Sequence, residues 1–243
     1  IDKLGNTTRT ESGKEVAYFH GYETDGFFKT EEEISNHSRD GEMIQPNATV
    51  GDIRFIDHND NGEIDADDRT YLGSGTPDYV YGFNFSVDYR GIDVSGNFYG
   101  VGGNQIVRGS GIYNLEVVDY INAYGERMDR FHPENNPDGT QPRVTLSDDN
   151  DNLRFSDRYV EDGSYLRLKN LQVGYTLPKP LTLTYGIEKL RFYVSGQNLL
   201  TWTDYNGFDP EVGDLYNQSL GIGVDLNNYP QPRLYMFGVN VTF

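Results

Sequence analysis

Between Asp57 and Asp68 the chain reads Asp-His-Asn-Asp-Asn-Gly-Glu-Ile-Asp-Ala-Asp-Asp. Oxygen side chains at positions one, three and five, glycine at six, a backbone carbonyl at seven and acids at nine and twelve follow the template of a calcium loop. A hard cation takes its six to eight ligands from oxygens spaced along one tight turn. The side-chain ligands would be Asp57, Asn59, Asn61, Asp65 and Asp68, with Glu63 giving its carbonyl. Gly62 would allow the sharp turn, and Ile64 would anchor the loop to a core. Asp in place of Glu at the last position shortens the bidentate reach, which lowers affinity and lets magnesium compete. The flanks lack a helical period, so the expectation is a structural calcium site on a loop. The competing reading is a solvated acidic turn, against which stands the mutual repulsion of carboxylates this close together.

Other chemistry finds little footing. There is no cysteine, and His20, His37, His58 and His132 form no spaced metal cluster. No serine-centred elbow appears. The glycine-rich run Gly100–Gln105 ends a strand pattern and opens no helix, so it is not read as a phosphate loop. Asp209-Pro210-Glu211 presents two carboxylates, as a glycosidase would need, yet a loop turn is the simpler reading. No catalytic residue is assigned and no enzyme is expected. Trp202, Tyr205, Tyr216 and Tyr229 are suited to stacking on sugar rings. Trp202 and Tyr205 also fall where a membrane barrel carries its interfacial aromatic girdle, the preferred reading for Trp202. No residue is assigned to substrate.

The elements that must carry these residues have a period of two. Tyr79, Tyr81, Phe83, Phe85, Val87 and Tyr89 alternate with Gly82, Asn84, Ser86 and Asp88, the pattern of a strand with one apolar and one polar face. After Arg90-Gly91, Ile92, Val94, Gly96 and Phe98 oppose Asp93, Ser95, Asn97 and Tyr99. Leu190, Phe192 and Val194, and finally Tyr235, Phe237, Val239, Val241 and Phe243, repeat it. Residues 164–177 alternate with a slip near Lys169-Asn170, read as a bulge or a departure from a bilayer. A weaker sixth strand is expected at 14–28. The predicted strands are 14–28, 79–90, 92–103, 164–177, 189–202 and 233–243, an all-β, antiparallel set.

Connections alternate long and short: 29–78, 90–91, 104–163, 178–188, 203–232. A transmembrane barrel sorts its connections this way, long outside and tight in the periplasm, which puts the last strand's end on the periplasmic side. The three long stretches carry 13 acids against 4 bases, 12 against 6 and 5 against none, so the net charge of −18 is gathered there. That balance argues against nucleic acid. No run of apolar residues suits a transmembrane helix, and residues 1–10 lack the charged and apolar pattern of a signal peptide. Soluble sandwiches share the alternation. Six strands, however, leave two open edges that cannot face lipid, so they must pair with further strands.

Several stretches resemble one family. Gly51–Gly73, Gly163–Pro178 (GSYLRLKNLQVGYTLP), Leu190–Val212 (LRFYVSGQNLLTWTDYNGFDPEV), the closing Tyr229-Pro230 with RLYMFGVNVTF, and residues 21–34 are similar, in order, to the C-terminal portion of SusC/RagA-type TonB-linked outer-membrane proteins. The resemblance implies a barrel of about 22 strands, with a plug and a TonB-interacting segment that lie outside this sequence. It implies TonB-dependent import of oligosaccharides or peptides across a Gram-negative outer membrane, with a SusD-like surface lipoprotein as lid. It also implies that Phe243 is read by the assembly machinery. The expected partners are the remaining strands and plug, in the same or a separate chain, the lid, TonB and outer-membrane lipid. The alternative is a soluble calcium-dependent carbohydrate-binding β-protein.

Overall fold

A computed structural model describes residues 2–3, 7–109, 124–213 and 220–243. The chain forms two compact units, one of residues 77–104, 162–211 and 228–243, the other of 1–76, 105–161 and 212–227.

The first unit is a five-stranded antiparallel meander: β1 (Tyr79–Tyr89), β2 (Ile92–Gly102), β3 (Tyr165–Thr176), β4 (Lys189–Thr203) and β5 (Leu234–Thr242), each paired with the next. Arg90 and Gly91 join β1 to β2 with φ of 50° and 84°. Two successive positive φ values give the turn whose twist matches a tight hairpin. A Cβ on Gly91 would also stand 2.7 Å from the carbonyl oxygen of Thr176. The slip read at Lys169-Asn170 is a register shift between Leu168 and Asn170. Because of it, Leu166 and Leu168 share a face with Leu171, Val173 and Tyr175, which strict alternation would place on opposite sides.

The register sorts every side chain. Tyr89, Ile92, Tyr175, Phe192 and Val239 form one row across the five strands, and Val87, Val94, Val173, Val194 and Phe237 form the next. The row of Phe85, Gly96, Leu171, Gly196 and Tyr235 follows. The face is apolar from end to end. Two of its glycines are covered by rings: the Phe85 ring lies where a Cβ of Gly96 would be and the Tyr81 ring does the same at Gly100, while Leu199 fills that space at Gly196.

The second unit is where the expected sixth strand lies. Residues 14–28 do not extend the meander. They break at Tyr22-Glu23 into Tyr18–Gly21 and Thr24–Phe27, which pair with Thr70–Gly73 and Ile53–Phe55 respectively. All four residues of Tyr18–Gly21 are buried, which explains why the sequence there separates into no two faces. The long connections are thus a folded body. Phe19, Val107 and Val224 form one core, with Leu72, Phe155 and Val160 against it. Tyr22, Ile53 and Phe55 form another, against which Ile64 packs. A short helix, Glu31–Asn36, is capped by Thr30, whose hydroxyl accepts from the amide of Glu33 at 3.2 Å.

Candidate functional site

The sheet presents its apolar face to the outside. Phe83 is 60% exposed and Phe237 is 70% exposed, although both belong to edge strands. The inner strands decide the matter: Val173 and Val194 are 40% and 53% exposed on the same face. Open edges cannot account for that, so the face is uncovered by the fold itself. Trp202 lies on this face at the end of β4, half exposed, with its ring centroid 6.4 Å from that of Phe98. Tyr205 is instead buried, Tyr229 is exposed, and Tyr216 lies outside the described residues.

The opposite face carries the charge. Arg191 on β4 reaches across β3 to Asp93 on β2, Nε to Oδ1 at 2.8 Å. It does so over Gly174, where a Cβ would stand 2.4 Å from the guanidinium and 2.6 Å from the carboxylate. Toward the other end of the sheet, Arg167 donates through Nε to Thr201 Oγ1 at 2.9 Å, and its terminal nitrogens reach Asp209 at 2.5 Å and Glu211 at 2.8 Å. Lys169 Nζ lies 2.6 Å and 2.8 Å from the two oxygens of Glu211. Burial opposes charge on Asp209, but hydrogen bonds from Arg167 and from the amides of Gln231 and Glu211 outweigh it and hold the carboxyl below its usual range. The two acids that might have suggested a glycosidase are therefore each committed to cations.

The 57–68 loop is folded by its own amides. Asp57 accepts from Asn61 at 3.2 Å and Gly62 at 2.7 Å; Asn59 accepts from Asn61 at 2.9 Å; Asn61 accepts from Glu63 at 2.8 Å. Asp65 accepts from Asp67 at 2.7 Å, and the buried Asp68 accepts from His58 at 2.9 Å and from Asp65 at 2.7 Å. Gly62 has φ of 91°, as the tight turn requires. Positions two and four fasten the loop outward, His58 to Glu23 at 2.8 Å and Asp60 to Arg39 at 2.9 Å. An all-oxygen donor set of Asp57, Asn59, Asn61, Asp65, Asp68 and the Glu63 carbonyl suits calcium chemically. Yet among the described residues no three His, Asp or Glu side chains converge as a metal-holding group. The fit is thus one of donor chemistry alone.

Sequence reasoning missed a buried polar chain in the same body. Asp52, fully buried, accepts from Arg143 Nε at 2.6 Å and from Asn152 Nδ2 at 2.8 Å. Asn152 accepts from the amide of Ile53, Asn150 donates to Asn152 and to the carbonyl of Ile53, and Gln45 spans Asn150 and the backbone of Phe55. These residues tie the 29–78 and 104–163 connections together. Their polarity reads as loop in the sequence, and only their partners about a hundred positions away reveal burial.

No family model matches the chain. TonB-dependent receptor P3 of Formosa agariphila is 35% identical over 242 residues, 95% of this chain and 22% of that protein. TonB-dependent receptor P26 of the same organism is 33% identical over the whole chain. TonB-dependent receptor SusC of Bacteroides thetaiotaomicron is 24% identical, again over the whole chain. Among solved structures, one described as the RagAB peptide transporter superposes on the whole chain with a TM-score of 0.75 at 24% identity, covering 24% of its own length. The chain spans about a quarter of the length of the curated relatives it matches. Those relatives are receptors and transporters, not enzymes. The meander is accordingly a segment of an antiparallel transmembrane β-barrel. Along its whole length this chain is similar in sequence to TonB-dependent receptors, SusC among them, and in fold to the RagAB transporter, and it matches about a quarter of each.

Proposed function

We propose that the chain supplies five adjacent strands of the wall, and part of the outer face, of a TonB-dependent importer of oligosaccharides or peptides that works with a SusD-like lid lipoprotein. The uncovered apolar face carries this reading, because hydrocarbon is the medium in which such a face costs nothing. A soluble carbohydrate-binding protein would have to hide it. Remaining strands and a plug complete the barrel, TonB supplies the energy, and the far end of β5 faces the periplasm. The peptide-transporter neighbour supports the import reading without choosing between peptide and glycan.

The test is a pair of substitutions in the full-length receptor, unfolded reversibly from bilayers. Phe85→Arg at the lipid face should cost about 2–4 kcal/mol, and its neighbour Asn84→Arg, on the polar face, much less. The reverse order would invert the faces and remove the proposal. Import should also stop when TonB is deleted. A second proposal concerns the 57–68 loop as a structural calcium site. It predicts calorimetric heat on adding calcium to the full-length protein, lost in Asp57→Ala. Silence at millimolar metal in both proteins would end it.

A further inference from the structure

After β4 the chain does not run away from the sheet. Residues 204–211 fold back over the polar face, where Tyr205, Asp209 and Pro210 are buried, and their two carboxylates meet Arg167 and Lys169. The bulge makes that meeting possible. It keeps both cations on the polar face of β3 while Leu171, Val173 and Tyr175 stay on the apolar one. The two acids are held differently. The Asp209 side chain is 7% exposed and takes Arg167 together with the amides of Glu211 at 2.9 Å and Gln231 at 2.8 Å, so it also pins the connection entering β5. The Glu211 side chain is 32% exposed and is held through the tips of Arg167 and Lys169. Replacing the first set of bonds with water would strand a buried carboxylate, whereas Glu211 already borders solvent.

We propose that residues 204–211 form a strap across the polar interior, closed by a clasp in two parts: Asp209 with Arg167 as the fixed anchor, and Glu211 with Lys169 and Arg167 as the half that lets go. Opening the releasable half lifts Glu211 off the polar face and widens the passage beside β3 and β4, while Asp209 keeps the strap attached. Glu211 and Lys169 are positioning residues for the strap. The proposal rests on the barrel reading, which makes the polar face the lumen.

The experiment uses the full-length receptor in detergent, with any cysteine outside these 243 residues replaced and Pro210→Cys, the buried neighbour of Glu211, as reporter. The rate of labelling by a polar maleimide is read for the parent clasp, Glu211→Gln and Lys169→Gln, alongside the gel mobility of the unboiled, folded barrel. Both variants should speed labelling at least tenfold (~1.4 kcal/mol of opening free energy) with the folded band unchanged. Added salt should speed the parent and leave Glu211→Gln unmoved, since only the parent has a partly exposed ion pair to screen. Labelling within twofold of the parent in either variant that keeps its folded band would overturn the strap. Absence of a folded band in the unsubstituted receptor would instead sink the barrel reading.

Discussion

The two units of this chain solve opposite solvent problems with the same polypeptide. The sheet unit holds 8 acids and 7 bases, whereas the loop-rich unit holds 30 and 13, so the net charges are −1 and −17. The sheet turns its large apolar residues outward, Phe83 and Phe237 among them, and keeps its ion pairs on the inner face. The loop-rich unit buries Phe19, Phe28 and Phe55 completely and, Asp52, Asp68 and Asp225 apart, shows its described acids to water. The difference teaches that an exposed phenylalanine is informative only with its neighbours. A continuous apolar face on inner strands signals a membrane, while an isolated exposed side chain signals nothing.

Substitutions in the full-length receptor can break or sharpen that contrast. The largest effect is expected at the buried polar chain: Arg143→Ala leaves the fully buried Asp52 short of its cation and should destabilise the loop-rich unit by about 3–5 kcal/mol. Hydrogen exchange of the amides of Ile53 and Phe55 would read it, and a change below about 1 kcal/mol would show that Asn152 and Thr49, which also donate to Asp52, suffice. Next comes one residue type in two places. Phe55→Ala should cost about 3–5 kcal/mol by leaving a cavity, and Phe83→Ala only about 1–2 kcal/mol, because lipid fills the gap and the transfer term stands alone. Equal costs would erase the distinction between the units.

Smaller effects test details. Gly174→Ala intrudes on the Arg191–Asp93 crossing and should cost about 1–3 kcal/mol. In an Arg191→Ala background the same change should be nearly free, and a double-mutant cycle measures the coupling; additive costs would place the strain elsewhere. The smallest change is Thr30→Ala, which removes the cap of Glu31–Asn36 and should cost about 1 kcal/mol, seen as faster exchange of the Glu33 amide with the sheet unaffected.

Five of the six expected strands were legible because a lipid-facing strand must alternate, and Tyr79 to Tyr89 alternates without a break. The slip at Lys169 was legible for the same reason, as an interruption of period two. Residues 14–28 misled because the strands they form, Tyr18–Gly21 and Thr24–Phe27, sit in a folded body with no lipid to impose alternation, and Tyr18–Gly21 is buried on both sides. The 57–68 loop was legible as a turn, since the Asp, Asn and Gly spacing dictates its local bonds. Where its carboxylates point is a matter of the folded loop that spacing does not encode; Asp57, Asp65 and Asp68 accept from the loop's own amides and Asp60 meets Arg39.

The sequence by itself determined the pleat, the faces and the hairpin at Arg90-Gly91, because all of these follow from local conformational preference and the alternation a bilayer demands. Tertiary structure alone decided what the polar residues do. Asp52 finds Arg143, Arg167 finds Asp209 and Glu211, and Arg191 finds Asp93 across intervals of 42 to 98 residues. Charge carries no period from which such a partner can be read; only the folded chain, by excluding water from Asp52 and Arg167, fixes which opposite charge must answer.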